Sequence, residues 1–243
     1  MFRDLIETSW RGGLLGYGEA RVEDAHGFWP GEAPAMARAT PARQAEFAAG
    51  RAAARAAMRA VGMVPYAIPM GSDRAPVWPA GVVGSISHSN GLCIAVAARA
   101  RALSGLGIDI EPLDPLPEEL WPDVLTPTDR DWLMTQDADL RGGYARMIFS
   151  AKEATYKALY PRTRRIVGFD AMDILPDLGA GRFLARLNTG FGPIGAGISL
   201  TGQLFCASGL VCTLLALPRG AECGANVAGN SIPETECFSE ISA

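Results

Sequence analysis

The chain has 243 residues, 49% of them hydrophobic and 20% charged, with a formal net charge of −4. That composition belongs to a globular protein rather than a disordered or fibrous one, and the acidic balance argues against non-specific nucleic-acid binding, which wants a basic face. No apolar run reaches the ~20 residues a membrane span needs. Acids at Asp4 and Glu7 interrupt the place where an export signal would be apolar, so a cytoplasmic location is expected.

Residues 1–39 are broken by Gly12, Gly13, Gly16, Gly18, Pro30 and Pro34, and no long element is predicted there. Thr40-Pro41 then opens a helix: threonine caps the exposed amides, and proline suits the first helical position because its missing N–H costs nothing there. The helix runs to Val61, with Gly62 as its stop. Strands are expected at 82–88 and 92–98 around the turn Ser89-Asn90-Gly91, which makes an antiparallel hairpin. A third strand covers 105–110. Five prolines make 112–127 mostly irregular, Thr126-Pro127 starts a helix to about Gln136, and a further helix spans Tyr144 to Tyr160, closed by Pro161. Short strands are predicted at 169–174, 181–187, 197–200 and 210–217. Helix then strands, twice over, suggests two similar α+β halves meeting near residues 105–115. Residues 219–243 are small and polar without periodicity and read as a mobile tail.

Several residues carry chemistry. Asp109 and Glu111 are two apart on a strand, so their carboxylates leave one face. Side-by-side hard oxygens suit Mg²⁺, which takes one or two carboxylates plus waters and phosphate oxygens. Glu153 can add a third carboxylate or act as a general base. Lys152 and Lys157 can bind phosphate or give a proton to a leaving phosphate, although Glu153 and Lys157 at i,i+4 also read as an ordinary surface pair. Ser87 and His88 end a strand among small residues, where a histidine can meet a phosphate without crowding. Arg43, Arg51 and Arg55 lie on the first helix, and arginine's planar fork favours phosphate; a solvated basic face is the alternative. Cys93, Cys206, Cys212, Cys223 and Cys237 form no Cys-x-x-Cys and read as unpaired thiols, and two histidines, His26 and His88, are too few for a multi-His metal site.

Four motifs occur in order: Phe47-x-x-Gly50-Arg51-x-x-x-Arg55, Trp78-Pro79-x-Gly81-x-x-Gly84-Ser85-Ile86-Ser87-His88-Ser89, Gly107-Ile108-Asp109-x-Glu111 and Phe149-Ser150-x-Lys152-Glu153-Ala154-x-x-Lys157-Ala158. With them, residues 35–217 resemble the 4′-phosphopantetheinyl transferases of the long, monomeric type, most of all the enterobactin-synthase branch. The resemblance implies two pseudo-symmetric α+β halves, each a small antiparallel sheet with packed helices, and a coenzyme A cleft between them. Residues 1–106 would form the half that binds the 3′-phosphate, 107–218 the half with the metal and the catalytic helix. Coenzyme A would donate its phosphopantetheine arm to a serine of an apo peptidyl, aryl or acyl carrier protein. Asp109, Glu111 and Glu153 would hold Mg²⁺, or Mn²⁺, against the pyrophosphate. Glu153 would take the serine proton and Lys157 assist the leaving phosphate. His88, Arg43 and Arg51 would grip the 3′-phosphate with Arg74 beside them, and Lys152, with Ser87 and Asp109 nearby, would contact coenzyme A.

The alternative is a non-catalytic coenzyme A-binding protein on the same fold, which a missing metal carboxylate would favour. A nucleotide-cradling Gly-x-x-x-x-Gly-Lys-Ser/Thr loop is lacking, which argues against other phosphotransferases. Siderophore or nonribosomal peptide assembly, or polyketide assembly, would supply the carrier. Because carrier proteins are themselves acidic, an apolar docking patch is expected in 113–127, from Leu113, Leu116, Leu120, Trp121, Val124 and Leu125.

Overall fold

Thr40 and Thr126 do what a capping residue should. Each side-chain oxygen accepts the amide three residues on, and each is followed by a proline in the first turn. Asp129 completes a reciprocal capping box by accepting from the Thr126 amide. The structure, a computed structural model, describes residues 2–9 and 15–219. In chain order it contains α1 (Arg3–Ser9), β1 (Leu15–Arg21), α2 (Pro41–Ala60), β2 (Val82–Ser89), β3 (Leu92–Arg99), β4 (Leu103–Pro112), α3 (Trp121–Val124), α4 (Pro127–Met134), α5 (Arg141–Thr163), β5 (Met172–Asp177), β6 (Arg182–Leu187), β7 (Ser199–Ala207) and β8 (Leu210–Pro218).

Two antiparallel sheets carry the fold, as the α+β reading expects. One has the order β1-β3-β2, the other β4-β8-β7-β6-β5. The helix α2 packs on one face of the small sheet, around Cys93, Ala95 and Ala97 of β3. The opposite face of that sheet supplies Leu15, Tyr17, Ile94 and Val96 to a core that also takes Leu106, Ile108 and Ile110 of β4 and Phe205 of β7. The helix α5 covers the far face of the large sheet through Ala151, Ala158 and Leu159 against Val211 and Leu215. At the join, the β2 edge of one sheet lies against the β4 edge of the other.

Four expectations need correction or completion. First, residues 1–39 hold no long element, as expected, but two short ones that the glycines and prolines conceal, α1 and β1 of 7 residues each. The glycines that hide β1 let it approach α2: a Cβ on Gly16 or Gly18 would lie 2.1 Å from a helix carbonyl oxygen. Second, α5 does not close at Pro161 but runs to Thr163. So near the helix end, proline's missing N–H costs one hydrogen bond and the chain tolerates it. Third, the expected strand at 197–200 is the start of a longer β7, and β5 begins at Met172 after a turn of 3₁₀ helix. Fourth, Leu116, Val124 and Leu125 belong to the core beneath α5 rather than to a docking patch, whereas Leu120 is 43% exposed.

Cys93 and Cys212 are free and buried, as unpaired thiols, and Cys223 and Cys237 lie outside the described residues. The expected mobile tail lies, from residue 220 on, outside the described residues. No described helix is long and apolar enough to cross a membrane.

Candidate active site

Strand β4 alternates as a strand must. Leu106, Ile108 and Ile110 enter the shared core, which turns Asp109 and Glu111 to the α5 side. Helix α5 can lie close because Gly107 has no side chain: a Cβ there would sit 1.9 Å from the Ala154 carbonyl oxygen. This close approach brings the acids of β4 to the face of α5 that carries Glu153 and Lys157.

Lys157 is the hub. Its ammonium donates to Asp109 Oδ1 at 2.6 Å, to Ser87 Oγ at 3.2 Å and to the Ile108 carbonyl at 3.4 Å. Ser87 Oγ also donates to Asp109 Oδ1, at 2.8 Å. The β2 edge is thereby stitched to the β4 edge, and Ser85 adds a second stitch by accepting the Ile108 amide at 3.1 Å. Asp109 is 3% exposed, and its Oδ2 is buried without a hydrogen-bond partner. A buried carboxylate oxygen left without a donor is costly, and a cation is the partner that suits it.

The neighbouring acids respond to the same environment. Burial, and then the charge of Asp109, push the Glu111 carboxyl up to about 7. Arg146 opposes this from 3.4 Å. Burial also raises Glu153, with Lys157 lowering it and Asp109 raising it. Among the described residues no three His, Cys, Asp or Glu side chains already converge as a closed metal cluster. The donor set nevertheless fits a hard divalent cation: one orphaned buried oxygen on Asp109 and two neighbouring carboxyls, Glu111 and Glu153, whose charged forms burial disfavours until a cation joins them.

The phosphate-seeking residues divide. Arg43 and His88 meet, guanidinium Nη1 to ring Nε2 at 3.1 Å, at the start of α2 and the end of β2. Partial burial pushes His88 below its usual value of 6.5, and Arg43 pushes the same way against Glu46. Arg51 lies deeper. It is 7% exposed, stacks on Phe47 at 3.9 Å and donates Nε to the Ile68 carbonyl, and burial pushes it down to about 10. Arg55 is paired to the buried Glu32. Arg74 is exposed at a turn, in the left-handed region with φ 68°.

Lys152 is not where a phosphate ligand should be. It is 1% exposed, and its three donors are filled by Asp129 Oδ2 at 2.6 Å and the carbonyls of Val124 and Phe169 at 2.9 and 2.8 Å. Asp129 in turn accepts the Ile174 amide through Oδ1. The expected contact of Lys152 with coenzyme A is therefore withdrawn, and a structural tie between α5, the α3–α4 connection and β5 takes its place.

The sequence motifs include Ser85 and Ser150 without a role for either, and sequence reasoning missed Arg146 and Thr213, the latter paired with the Ser150 hydroxyl at 2.9 Å to join α5 to β8. Two of these had a signal. Ser85 is two residues before Ser87 on one strand face, and Arg146 lies two helical turns before Glu153.

A family profile for the 4′-phosphopantetheinyl transferase N-terminal domain matches residues 31–98, and one for the 4′-phosphopantetheinyl transferase superfamily matches residues 105–196. The chain is 41% identical over 199 residues to 4′-phosphopantetheinyl transferase Svp of Streptomyces mobaraensis, covering 79% of this chain and 80% of that one. It is 38% identical to 4′-phosphopantetheinyl transferase PptT of Mycobacterium tuberculosis, covering 77% and 85%. Similarity to enterobactin synthase component D of Salmonella typhi, 38% identical, covers 54% of each chain.

Proposed function

This chain belongs to the 4′-phosphopantetheinyl transferase superfamily, and from that membership we propose how its own side chains carry out the transfer. The activity moves the 4′-phosphopantetheine arm of coenzyme A to a serine hydroxyl of an apo carrier protein. The serine oxygen bonds to the pantetheine-side phosphorus. The bond from that phosphorus to the bridging pyrophosphate oxygen breaks, and adenosine 3′,5′-bisphosphate leaves.

Glu153 takes the serine proton, and burial, by raising its pKa, makes it a stronger base than a solvated glutamate. Lys157, anchored by Asp109 and Ser87, supplies positive charge beside the leaving phosphate. Asp109, Glu111 and Glu153 would hold a divalent cation, magnesium or manganese, whose charge would offset that of the pyrophosphate oxygens. Arg43 and His88 grip the 3′-phosphate, Arg74 adds to them from its turn, and Arg51 contributes its charge from behind Phe47. The N-terminal half thus orients the nucleotide and the C-terminal half carries the chemistry. The carrier is a peptidyl, aryl or acyl carrier domain of siderophore, nonribosomal peptide or polyketide assembly, and the enzyme acts as a cytoplasmic monomer.

The observation that carries the metal and base assignments is the partnerless, buried Asp109 Oδ2 beside two carboxylates with raised pKa values. Intact mass spectrometry of an apo peptidyl carrier protein, incubated with the enzyme, coenzyme A and Mg²⁺, tests it. A phosphopantetheine-sized gain is expected, lost with chelator and lost in Glu153→Gln. A gain that survives both would remove the assignment.

A further inference from the structure

One contact between the two halves lies outside the transfer chemistry. The segment 69–77 is a tight turn: Met70 bridges Pro76, the Gly71 amide donates to the Ala75 carbonyl at 2.8 Å, and the Arg74 amide donates to the Gly71 carbonyl at 2.9 Å. Asp73 stiffens it, since Oδ1 accepts the Ala75 amide at 3.1 Å. Its other oxygen faces the end of α5. Asp73 Oδ2 accepts the Tyr160 hydroxyl at 2.8 Å and pairs with the Arg164 guanidinium. These two bonds hold the Asp73 carboxyl below the usual carboxylate range.

The backbone on both sides of this contact is unusual. Arg74 and Arg164 are both left-handed, at φ 68° and 51°, the region in which glycine is unstrained and an arginine is not. Arg164 sits there as the residue that ends α5, its amide donating to the Tyr160 carbonyl at 2.8 Å. A glycine would serve that stop better. What the arginine adds is its side chain on Asp73. From Tyr160 the aromatic contact continues to Tyr156, ring to ring at 5.4 Å, next to Lys157.

We propose that Asp73 is a positioning residue, which through Tyr160 and Arg164 fixes the Arg74 turn of the N-terminal half against the helix that carries Glu153 and Lys157. The place of the Arg74 turn relative to the transfer site is thereby held by one carboxylate, while Arg43 and His88 are placed by the β2–β4 join. This rests on the reading of Arg74 as a phosphate ligand, so the experiment separates the two.

Steady-state kinetics with coenzyme A and with dephospho-coenzyme A, which lacks the 3′-phosphate, are measured for Asp73→Asn, Arg164→Gly, Arg74→Ala and Asp73→Asn/Arg74→Ala. Asp73→Asn raises the Michaelis constant for coenzyme A about fivefold, the loss of one partly exposed charged pair, with kcat within about twofold. Arg164→Gly does the same while its melting temperature holds or rises, because the backbone strain is relieved; a structural role alone gives the opposite pattern. Neither substitution alters the Michaelis constant for dephospho-coenzyme A, and Asp73→Asn adds nothing in the Arg74→Ala background. An unchanged constant in Arg74→Ala sinks the phosphate role of Arg74 and the proposal with it. A raised constant in Arg74→Ala with an unchanged one in Asp73→Asn sinks the positioning role alone, and so does an equal effect on both nucleotides.

Discussion

Lys152 and Lys157 sit five residues apart on α5 and have different tasks. At ~100° per residue they point about 140° apart round the helix. Lys157 faces the β2–β4 join and Asp109, whereas Lys152 faces inward to Asp129. Both are lysines in one motif, and residue type alone makes both look like phosphate ligands. The helical angle was readable from the sequence; what was not readable is that Asp129, 23 residues earlier, shares the oxygen that closes the capping box of α4 with a buried ammonium. Lys152→Met leaves Asp129 buried and uncompensated. Denaturant unfolding should show a loss of about 3–5 kcal/mol, the usual result of removing one partner of a buried pair. The Michaelis constant for coenzyme A, measured where the variant is still folded, should not move. A raised constant at unchanged stability would return Lys152 to the substrate.

The elements that were legible are those whose local rules agree. Helix α2 has a cap, a proline and a glycine stop; the β2–β3 hairpin has its turn. Strand β1 was illegible because Gly16 and Gly18 lower its strand propensity, and their reason for being there is α2, whose Ala57 and Ala53 lie 41 and 35 residues further along the chain. Strand β4 repeats the device: Cβ atoms on Gly105 and Gly107 would lie 2.4 and 1.9 Å from the carbonyl oxygens of Ala158 and Ala154 on α5. In each half a Gly-x-Gly strand thus takes the backbone of a long helix at close range. That is a trace of internal symmetry among the described residues, and it shows only after the helices are in place. The leucines of 113–127 failed for a related reason, since a proline-rich segment shows no period from which a buried side can be read. Gly107→Ala must push α5 off β4. Overpacking of this kind costs about 1–3 kcal/mol. Because the same shift separates Glu153 from Asp109, kcat should fall by up to about a hundredfold. Chemical denaturation beside carrier-modification kinetics checks both, and a stable variant with full kcat would show that the spacing is not critical.

At the scale of the molecule, the two halves expected as 1–106 and 107–218 meet inside a strand: β4 begins at Leu103 and ends at Pro112, and it pairs with β8 in the large sheet on both sides of a register shift at Ser104. The small sheet, with α1 and α2, has no core of its own on its inner face. Phe2, Ile6, Leu15, Tyr17 and Ile94 are buried against Ile108, Ile110, Phe205 and Leu214, which belong to the large sheet. Along the join the two sheet edges are held by side chains, Ser85 to the Ile108 amide and Ser87 to Asp109, so the site forms only when both halves are in place. Separating the halves would expose that inner core and leave the Ile108 amide without its acceptor, both unfavourable. A shared core of this kind couples the halves thermodynamically even where their outer cores, under α2 and α5, are distinct. The full chain should therefore unfold in one calorimetric transition, with calorimetric and van't Hoff enthalpies equal. Residues 1–102 produced alone should lack cooperative unfolding. Two resolved transitions, with the first leaving the β5–β8 signal intact, would mean that the inner core is a contact between independent domains, and that coenzyme A rather than the fold brings the two sides of the site together.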